Sequence, residues 1–161
     1  MRTTTSSFIC DFQIPIVKLT ANILPTDFEF LKVIGKGFYG KVTKVKYNLD
    51  SQIYAIKSIK KLKLIEQKHI EHIKNERRLL EQIKHPFIVS LKFAFQTETK
   101  LYLAMECLNG GDLFYHIRRR KKLSIKDGKF YFSQIVLAIE YLHSKKIIYR
   151  LNIFLIKRFK A

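Results

Sequence analysis

The sequence is poor in several residue types, and each shortage argues against a class of protein. It has no tryptophan, three prolines and two cysteines in 161 residues. Because Cys10 and Cys107 lie far apart, a disulfide framework is not indicated, and an intracellular, cytoplasmic location is expected. No apolar run approaches the ~18 residues that cross a bilayer, so no transmembrane segment is predicted.

Acidic residues are also scarce. The chain has 31 Lys and Arg against 13 Asp and Glu, a formal charge of +18. This charge favours polyanions such as phosphates, nucleic acid or an anionic membrane surface, although the codon bias of an A+T-rich gene gives the same composition. The runs "KKLKL" (60–64) and "RRRKK" (118–122) are the only support for a nucleic-acid or anionic-lipid binding module. We find no base-stacking motif or zinc-ligand spacing, so no specific nucleic acid is expected.

The order of apolar stretches predicts the fold class. A 47% apolar content indicates a folded protein. Alternating and helical periods predict strands at 28–35, 41–47, 53–59, 88–95 and 100–106, and helices at 66–83, 112–121 and 126–144. Pro86 bars further helix after the first of these. Strands and helices are segregated along the chain, which predicts an α+β fold with an antiparallel sheet.

Three glycines, Gly35, Gly37 and Gly40, interrupt the first two strands in "VIGKGFYGKV" (33–42). Glycine has no Cβ, so backbone N–H groups can approach a phosphate closely. The same spacing occurs in dinucleotide-binding folds, where the third glycine opens a helix. Here "KVTKVKY" follows Gly40 and alternates like a strand. The pattern therefore predicts a hairpin that covers phosphate.

Two charged residues fall in apolar rows. Lys57 shares a strand face with Ile53, Ala55 and Ile59. Glu76 shares a helical stripe with Ile73, Leu80 and Ile83, at spacings of 3, 4 and 3. Breaking a buried ion pair costs about 3–5 kcal/mol, so we predict that Lys57 and Glu76 pair with each other. Taken singly, a lysine that reaches solvent and an exposed glutamate are the ordinary alternatives.

These motifs together resemble the protein kinase family. "GKGFYGKV" resembles the glycine-rich loop, "YAIK" (54–57) the strand that ends in the ATP-phosphate lysine, and Glu76 the glutamate of the αC helix. "LYLAMECLNGGDLFYHIRR" (101–119) resembles the last sheet strand, the hinge and the next helix. "DFEFLKVIGKG", "HPFIVSL", "GGDLF" and "YR" are similar to the AGC-type serine/threonine kinases, the protein kinase A, B and C group.

The resemblance implies a division of the chain and a nucleotide site. It implies an N-terminal tail at 1–27 and a partial kinase domain at 28–161, with an N-lobe at 28–106, a hinge at 107–111, the first C-lobe helices at 112–150 and a divergent end at 151–161. The expected cofactor is ATP; magnesium is expected for the family, but its main ligand is absent from this sequence. The implied ATP-binding residues are Ile34, Gly35, Lys36, Gly37, Phe38, Tyr39, Gly40, Val42, Ala55, Lys57, Met105, Glu106, Leu108 and Asp112.

The roles also follow from the resemblance. Val42 and Ala55 would sandwich adenine, and Lys57 would contact the α- and β-phosphates. Met105 would guard the back of the pocket, and the backbone of 106–108 would hydrogen-bond adenine. Asp112 would reach the ribose or a basic substrate residue.

The resemblance fails at the catalytic loop. The family continues "YRDLKPEN", whereas this chain reads "YRLNIFLIKRFKA", so Leu151 follows Arg150 and no catalytic Asp is present. The printed sequence has no D-F-G and no A-P-E, and Asn152 is the one doubtful candidate for a metal ligand. We expect a chain that binds ATP and is inactive by itself. The alternative is an active kinase of which the sequence records only a part.

Two surfaces are expected to receive a protein partner. The helix at 130–144 carries a stripe of Phe132, Ile135, Ile139 and Leu142, which the resemblance implies is covered by C-lobe helices beyond this sequence. An exposed stripe predicts self-association or a partner. The groove between the αC helix and the sheet is the second surface, where the resemblance implies that a hydrophobic tail docks.

Overall fold

The computed structural model describes residues 23–37, 40–66, 68–110 and 113–147. The chain divides into two compact units. The first comprises Met1–Gln82 and Leu91–Cys107, and the second comprises Ile83–Ser90 and Leu108–Ala161. The tail at 1–22 and the divergent end at 151–161 lie outside the described residues, so the expectations for Leu151 and Asn152 stay predictions.

The first unit is built on a five-stranded sheet, in the order β1-β2-β3-β5-β4. Every neighbouring pair is antiparallel, so the predicted fold class is confirmed. The strands are β1 (Phe28–Gly37), β2 (Gly40–Tyr47), β3 (Ile53–Lys60), β4 (Leu91–Gln96) and β5 (Lys100–Glu106).

The segment between β3 and β4 forms two helices, α1 (Lys61–Glu66) and α2 (Ile70–Gln82), so the prediction of one helix over 66–83 is wrong at its start. A Schellman motif ends α1: the His69 N–H donates to the Leu64 carbonyl at 3.0 Å and the Lys68 N–H donates to the Ile65 carbonyl at 3.1 Å. Lys68 has a φ of 54°, in the left-handed region. The chain therefore turns at Lys68 before α2 begins.

The core of this unit lies on both faces of the sheet. One face carries a cluster of rings, in which Phe28 stacks on Phe95 at 5.5 Å between centroids and Phe95 stacks on Tyr102 at 4.8 Å. On the opposite face, Ala55 and Ile59 of β3 are buried. Both faces of the central strand are covered, which explains why its sequence is nearly continuously apolar. The members of the ring-bearing core cluster are Phe28, Val45, Tyr47, Tyr54, Ile56, Phe95, Tyr102 and Ala104.

The second unit contains α3 (Leu113–Arg120) and α4 (Ile125–Ser144). Ser124 caps α4, because its Oγ accepts a hydrogen bond from the Asp127 N–H at 3.0 Å. The "KHPF" segment contacts this helix. The His85 ring stacks on Tyr141 at 4.9 Å, and the Lys84 N–H donates to the Tyr141 hydroxyl at 3.2 Å.

The expected exposed stripe on α4 is only partly exposed. Leu142 is 1% exposed, so its prediction as an uncovered residue is wrong. Ile135 and Ile139 are half-buried, and Phe132 is 67% exposed. Leu142 lies one turn from the fully buried Ala138, on the inner face of the helix. Across the described ranges, no helix is both long and apolar enough to cross a membrane.

Candidate functional site

Lys57 lies in the middle of the sheet. In β3 it pairs with Val42 of β2 on one side and with Leu103 of β5 on the other. Leu103 is buried, and Ala55 and Ile59 of the same strand face are buried too. Residues that pair across the sheet, and residues two apart in one strand, lie on the same face of the sheet. The Lys57 side chain therefore projects from a face on which its neighbouring side chains are apolar.

Glu76 of α2 meets this ammonium group. Lys57 Nζ lies 2.7 Å from Glu76 Oε1, and the two side chains are 28% and 31% exposed. Ile73 and Leu80, on the same stripe of α2, are each 2% exposed. The structure thus brings together the two charges that the sequence pairs, and buried apolar residues one turn before and after Glu76 hold the helix in place.

The exposure of the pair determines how much it stabilises the fold. Almost a third of each side chain remains in water, so we assign the pair about 1 kcal/mol, as for exposed pairs, and not the 3–5 kcal/mol of a fully buried one. The Lys57–Glu76 pair therefore acts mainly by holding the Lys57 ammonium group in place. The carboxylate fixes where the ammonium group lies, and the exposed part of that group is available to an anion.

The hairpin between β1 and β2 contains the three glycines, and they differ in what surrounds them. A Cβ added to Gly40 would lie 1.8 Å from the Ser58 carbonyl oxygen in β3. A Cβ on Gly35 would make ordinary contact with Val42 at 3.6 Å, and one on Gly37 would find no atom of the described residues nearer than 3.9 Å. Close packing of β2 on β3 therefore requires Gly40. The fold itself does not require the other two, which leaves their backbone open to a ligand.

The expected adenine-contacting residues lie on neighbouring strands. Gly35 pairs with Val42, and Ala55 pairs with Met105. Ala55 is 8% exposed, Val42 and Met105 are half-buried, and Ile34 is 40% exposed. Val42, Ala55 and Lys57 therefore lie on one face of the sheet, beside the hairpin.

Comparison with known proteins identifies the family. A family model described as "Protein kinase domain" matches residues 28–155. The chain belongs to the protein kinase family. It is 46% identical over 130 residues to the human "Serine/threonine-protein kinase Sgk2", and this alignment covers 80% of the chain and 35% of Sgk2. It is 47% identical over 127 residues to mouse "Serine/threonine-protein kinase Sgk3", covering 78% of the chain and 26% of Sgk3.

A third relative gives the same result. The chain is 45% identical over 127 residues to "Serine/threonine-protein kinase Sgk1" of Xenopus tropicalis, and the alignment covers 78% of the chain and 30% of that protein. These relatives confirm the predicted resemblance to AGC-type serine/threonine kinases. The kinase chain spans about a third of the length of the curated relatives it matches.

Family membership gives the general cofactors but not the details of this site. Protein kinases use ATP and magnesium.

The remaining predicted site residues are placed less fully. Phe38, Tyr39 and Asp112 lie outside the described residues, and Leu108 is a half-buried residue of the second unit. Lys36 is exposed, and Glu106 pairs with Tyr54 at the end of β5. In the described part of the kinase, no three His, Cys, Asp or Glu side chains are grouped to hold a metal ion.

Sequence reasoning missed a second ion pair on α2. The Arg77 guanidinium donates from Nε and Nη2 to Glu81 Oε1, at 2.9 and 2.8 Å. The Arg77 side chain is 6% exposed, whereas the Glu81 side chain is 25% exposed. The i,i+4 spacing of opposite charges was the available signal. It gave no indication of burial, because Arg77 adjoins the Ile73–Leu80 stripe and is covered only once the helix packs on the sheet.

Arg77 also lines the predicted groove between α2 and the sheet. Its other walls are Ile73 of α2 and residues of β4 and β5, mainly apolar. A small pocket therefore lies between α2 and the sheet, and the docking of a hydrophobic tail there stays a prediction. The lining residues are Ile73, Arg77, Ala94, Phe95, Gln96, Leu101, Tyr102 and Leu103.

Proposed function

We propose that this chain is the nucleotide-binding part of an AGC-type serine/threonine protein kinase. In this proposal, residues 28–106 form the N-lobe, 107–111 the hinge and 112–150 the first C-lobe helices. The observation that carries it is the 2.7 Å contact of Lys57 with Glu76 beside a glycine hairpin. The identity to Sgk relatives supports the serine/threonine class.

The first unit offers suitable groups for a triphosphate. The ammonium group of Lys57 is a positive donor whose position is set by Glu76. Gly35 and Gly37 leave room for an anion against the β1–β2 backbone, since a Cβ at either meets no atom of the structurally described part of the chain closer than 3.6 Å. ATP, when bound, supplies the phosphoryl group that the family transfers.

The adenine end of the site is proposed from the same sheet face. Ala55 and Val42 have small or branched apolar side chains that suit the flat face of a base. Met105, directly opposite Ala55 in the ladder, limits the depth of the space. The roles of Leu108 and Asp112 stay predictions from the family motif.

We further propose that the 161-residue chain does not transfer phosphate. The residue after Arg150 is Leu151, where the family motif has the aspartate that accepts the substrate proton. A positioned base contributes about 10²–10⁴-fold to the rate. Leucine has no group that can accept the proton, so that contribution is lost.

Nucleotide binding is tested by thermal unfolding of the chain with and without ATP. Ligand at about 100 times its Kd stabilises a protein by about 2.7 kcal/mol. We expect ATP to raise the Tm, and magnesium to add little. Lys57→Met should abolish the increase, whereas the matched variant Lys60→Met should keep it, because Lys60 is an exposed residue of the same strand. An ATP effect of equal size in Lys57→Met would refute the site.

Phosphoryl transfer is tested with radiolabelled ATP and basic peptide substrates. We expect no incorporation above that of a sample without enzyme. Incorporation that Lys57→Met abolishes would show that the chain is active. Sequencing the transcript beyond the codon for Ala161 tests the alternative of a partly recorded active kinase, since downstream D-F-G and A-P-E codons would support it.

A further inference from the structure

The segment from the end of α3 into α4, residues 118–132, concentrates positive charge on the surface. We call it the basic corner. It contains seven Lys and Arg residues and a single acidic residue, Asp127. All seven cationic side chains are exposed. Arg120 Nη1 lies 3.6 Å from Asp127 Oδ2, so the acid offsets only part of the charge. The cationic residues are Arg118, Arg119, Arg120, Lys121, Lys122, Lys126 and Lys129.

Large apolar side chains are exposed among these charges. Ile125, the first residue of α4, is 80% exposed, and Phe132 is 67% exposed. Ile125, Lys129 and Phe132 are spaced i, i+4 and i+7, so they lie along one side of the helix. An isoleucine left almost wholly in water between Ser124 and Lys126 has no role in the core of either unit.

We propose that the basic corner docks on anionic lipid bilayers. Cations attract the negative headgroups at about 1 kcal/mol for each Lys or Arg near the surface. Exposed apolar side chains beside them can enter the headgroup–acyl boundary, while lysine stems extend their ammonium groups to the phosphates. The basic corner presents both components on one short segment.

The apolar component favours lipid over nucleic acid as the occupant. Phosphate contacts of nucleic acid need the cations, and bases stack on aromatic rings. Phe130 and Phe132 have rings on which a base could stack and are 57% and 67% exposed, but Ile125, the most exposed apolar residue of the corner at 80%, has no ring. Such a side chain can insert into a bilayer and strengthen binding, whereas the affinity of a surface that binds by charge alone does not depend on it.

The test is co-sedimentation of the 161-residue chain with vesicles, without nucleotide. We expect binding to phosphatidylcholine vesicles with about 30 mol% phosphatidylserine, weaker binding at high salt, and none to phosphatidylcholine alone. The double variant Arg119→Gln/Lys122→Gln should bind about thirtyfold more weakly. Lys60→Gln/Lys63→Gln removes the same charge from exposed residues of the first unit and should have a clearly smaller effect.

A second pair of variants separates lipid from other polyanions. Ile125→Asn should weaken vesicle binding about fivefold, because a polar amide does not enter the acyl boundary. Leu49→Asn is the matched control: Leu49 is 83% exposed and lies in a turn next to Asp50. Its vesicle binding should equal that of the original chain, and circular dichroism should show all variants folded.

Three outcomes would overturn the proposal. The first is no sedimentation with phosphatidylserine vesicles. The second is Ile125→Asn binding as tightly as Leu49→Asn, which would make the surface electrostatic only. The third is tight, salt-dependent retention on RNA with no vesicle binding, which would identify nucleic acid as the polyanion. None of these outcomes depends on ATP binding, so the proposed nucleotide site is tested separately.

Discussion

Replacing Gly40 by alanine should destabilise the sheet, and the structure gives the size of the effect. The added Cβ would lie 1.8 Å from the Ser58 carbonyl oxygen and 2.9 Å from its carbonyl carbon, whereas ordinary contact begins at 3.4 Å. The obstacle is backbone in a hydrogen-bonded strand, so no side-chain rotation can relieve the clash. β2 must therefore move away from β3 at this end.

The movement has two costs. Forcing an extra methyl group into packed structure costs about 1–3 kcal/mol. Separating the strands weakens the ladder where Gly40 pairs with Ile59 and Lys41 with Ser58, and each lost hydrogen bond costs about 0.5–1.5 kcal/mol. We expect a loss of about 2–4 kcal/mol, which corresponds to a fall in Tm of about 5–15 °C for a chain of this size.

The control is Gly37→Ala in the same hairpin, where the nearest atom of the described residues to the new Cβ is 3.9 Å away. Alanine there should change stability by at most about 1 kcal/mol, and in the stabilising direction. Because the chain has no tryptophan, urea unfolding is followed by far-ultraviolet circular dichroism. If Gly40→Ala unfolds at the same urea concentration as Gly37→Ala, the argument from close packing is refuted.

Three further predictions concern single polar groups. Thr43 is 4% exposed and its hydroxyl has no hydrogen-bond partner among the described residues. Thr43→Val should therefore raise the free energy of unfolding by about 1 kcal/mol, which is measured as a higher urea midpoint. A lower midpoint would contradict this. Tyr141→Phe removes the acceptor of the Lys84 N–H and should cost about 0.5–1.5 kcal/mol in thermal unfolding, while an unchanged Tm would show that the bond does not stabilise. Burial, and then the 2.7 Å hydrogen bond to Asp50, raises the pKa of Tyr54 to about 12. As the pH rises, the unfolded chain therefore loses the Tyr54 proton before the folded chain does, so the free energy of unfolding should fall from about pH 10 to 12. This fall should be shallower in Tyr54→Phe. Equal slopes in the two proteins would exclude Tyr54 as the cause of the fall.

Most of the candidate site could be predicted from local sequence. The strand period placed Lys57 in an apolar row, and the helical period did the same for Glu76. The cost of an unpaired charge then suggested their contact, which the structure shows at 2.7 Å. The identity of the family followed from motifs in order along the chain and is confirmed by the family model over residues 28–155.

Other features depended on contacts between segments distant in sequence. Nothing local distinguishes Gly40 from Gly37, because the difference is the Ser58 carbonyl of another strand. Arg77 reads as a surface cation until α2 packs on the sheet and leaves its side chain 6% exposed. The stripe pattern predicts that Leu142 is uncovered, whereas the folded second unit leaves it 1% exposed.

The sequence by itself determined the five strands, most of the helices and the need of Lys57 and Glu76 for a partner, because periodicity and the cost of an isolated charge act on neighbouring residues. Only the tertiary structure decided which glycine is needed for packing, which arginine is buried and how much of α4 is exposed. Those properties depend on the distance between atoms that chain folding brings together, and no local pattern records that distance.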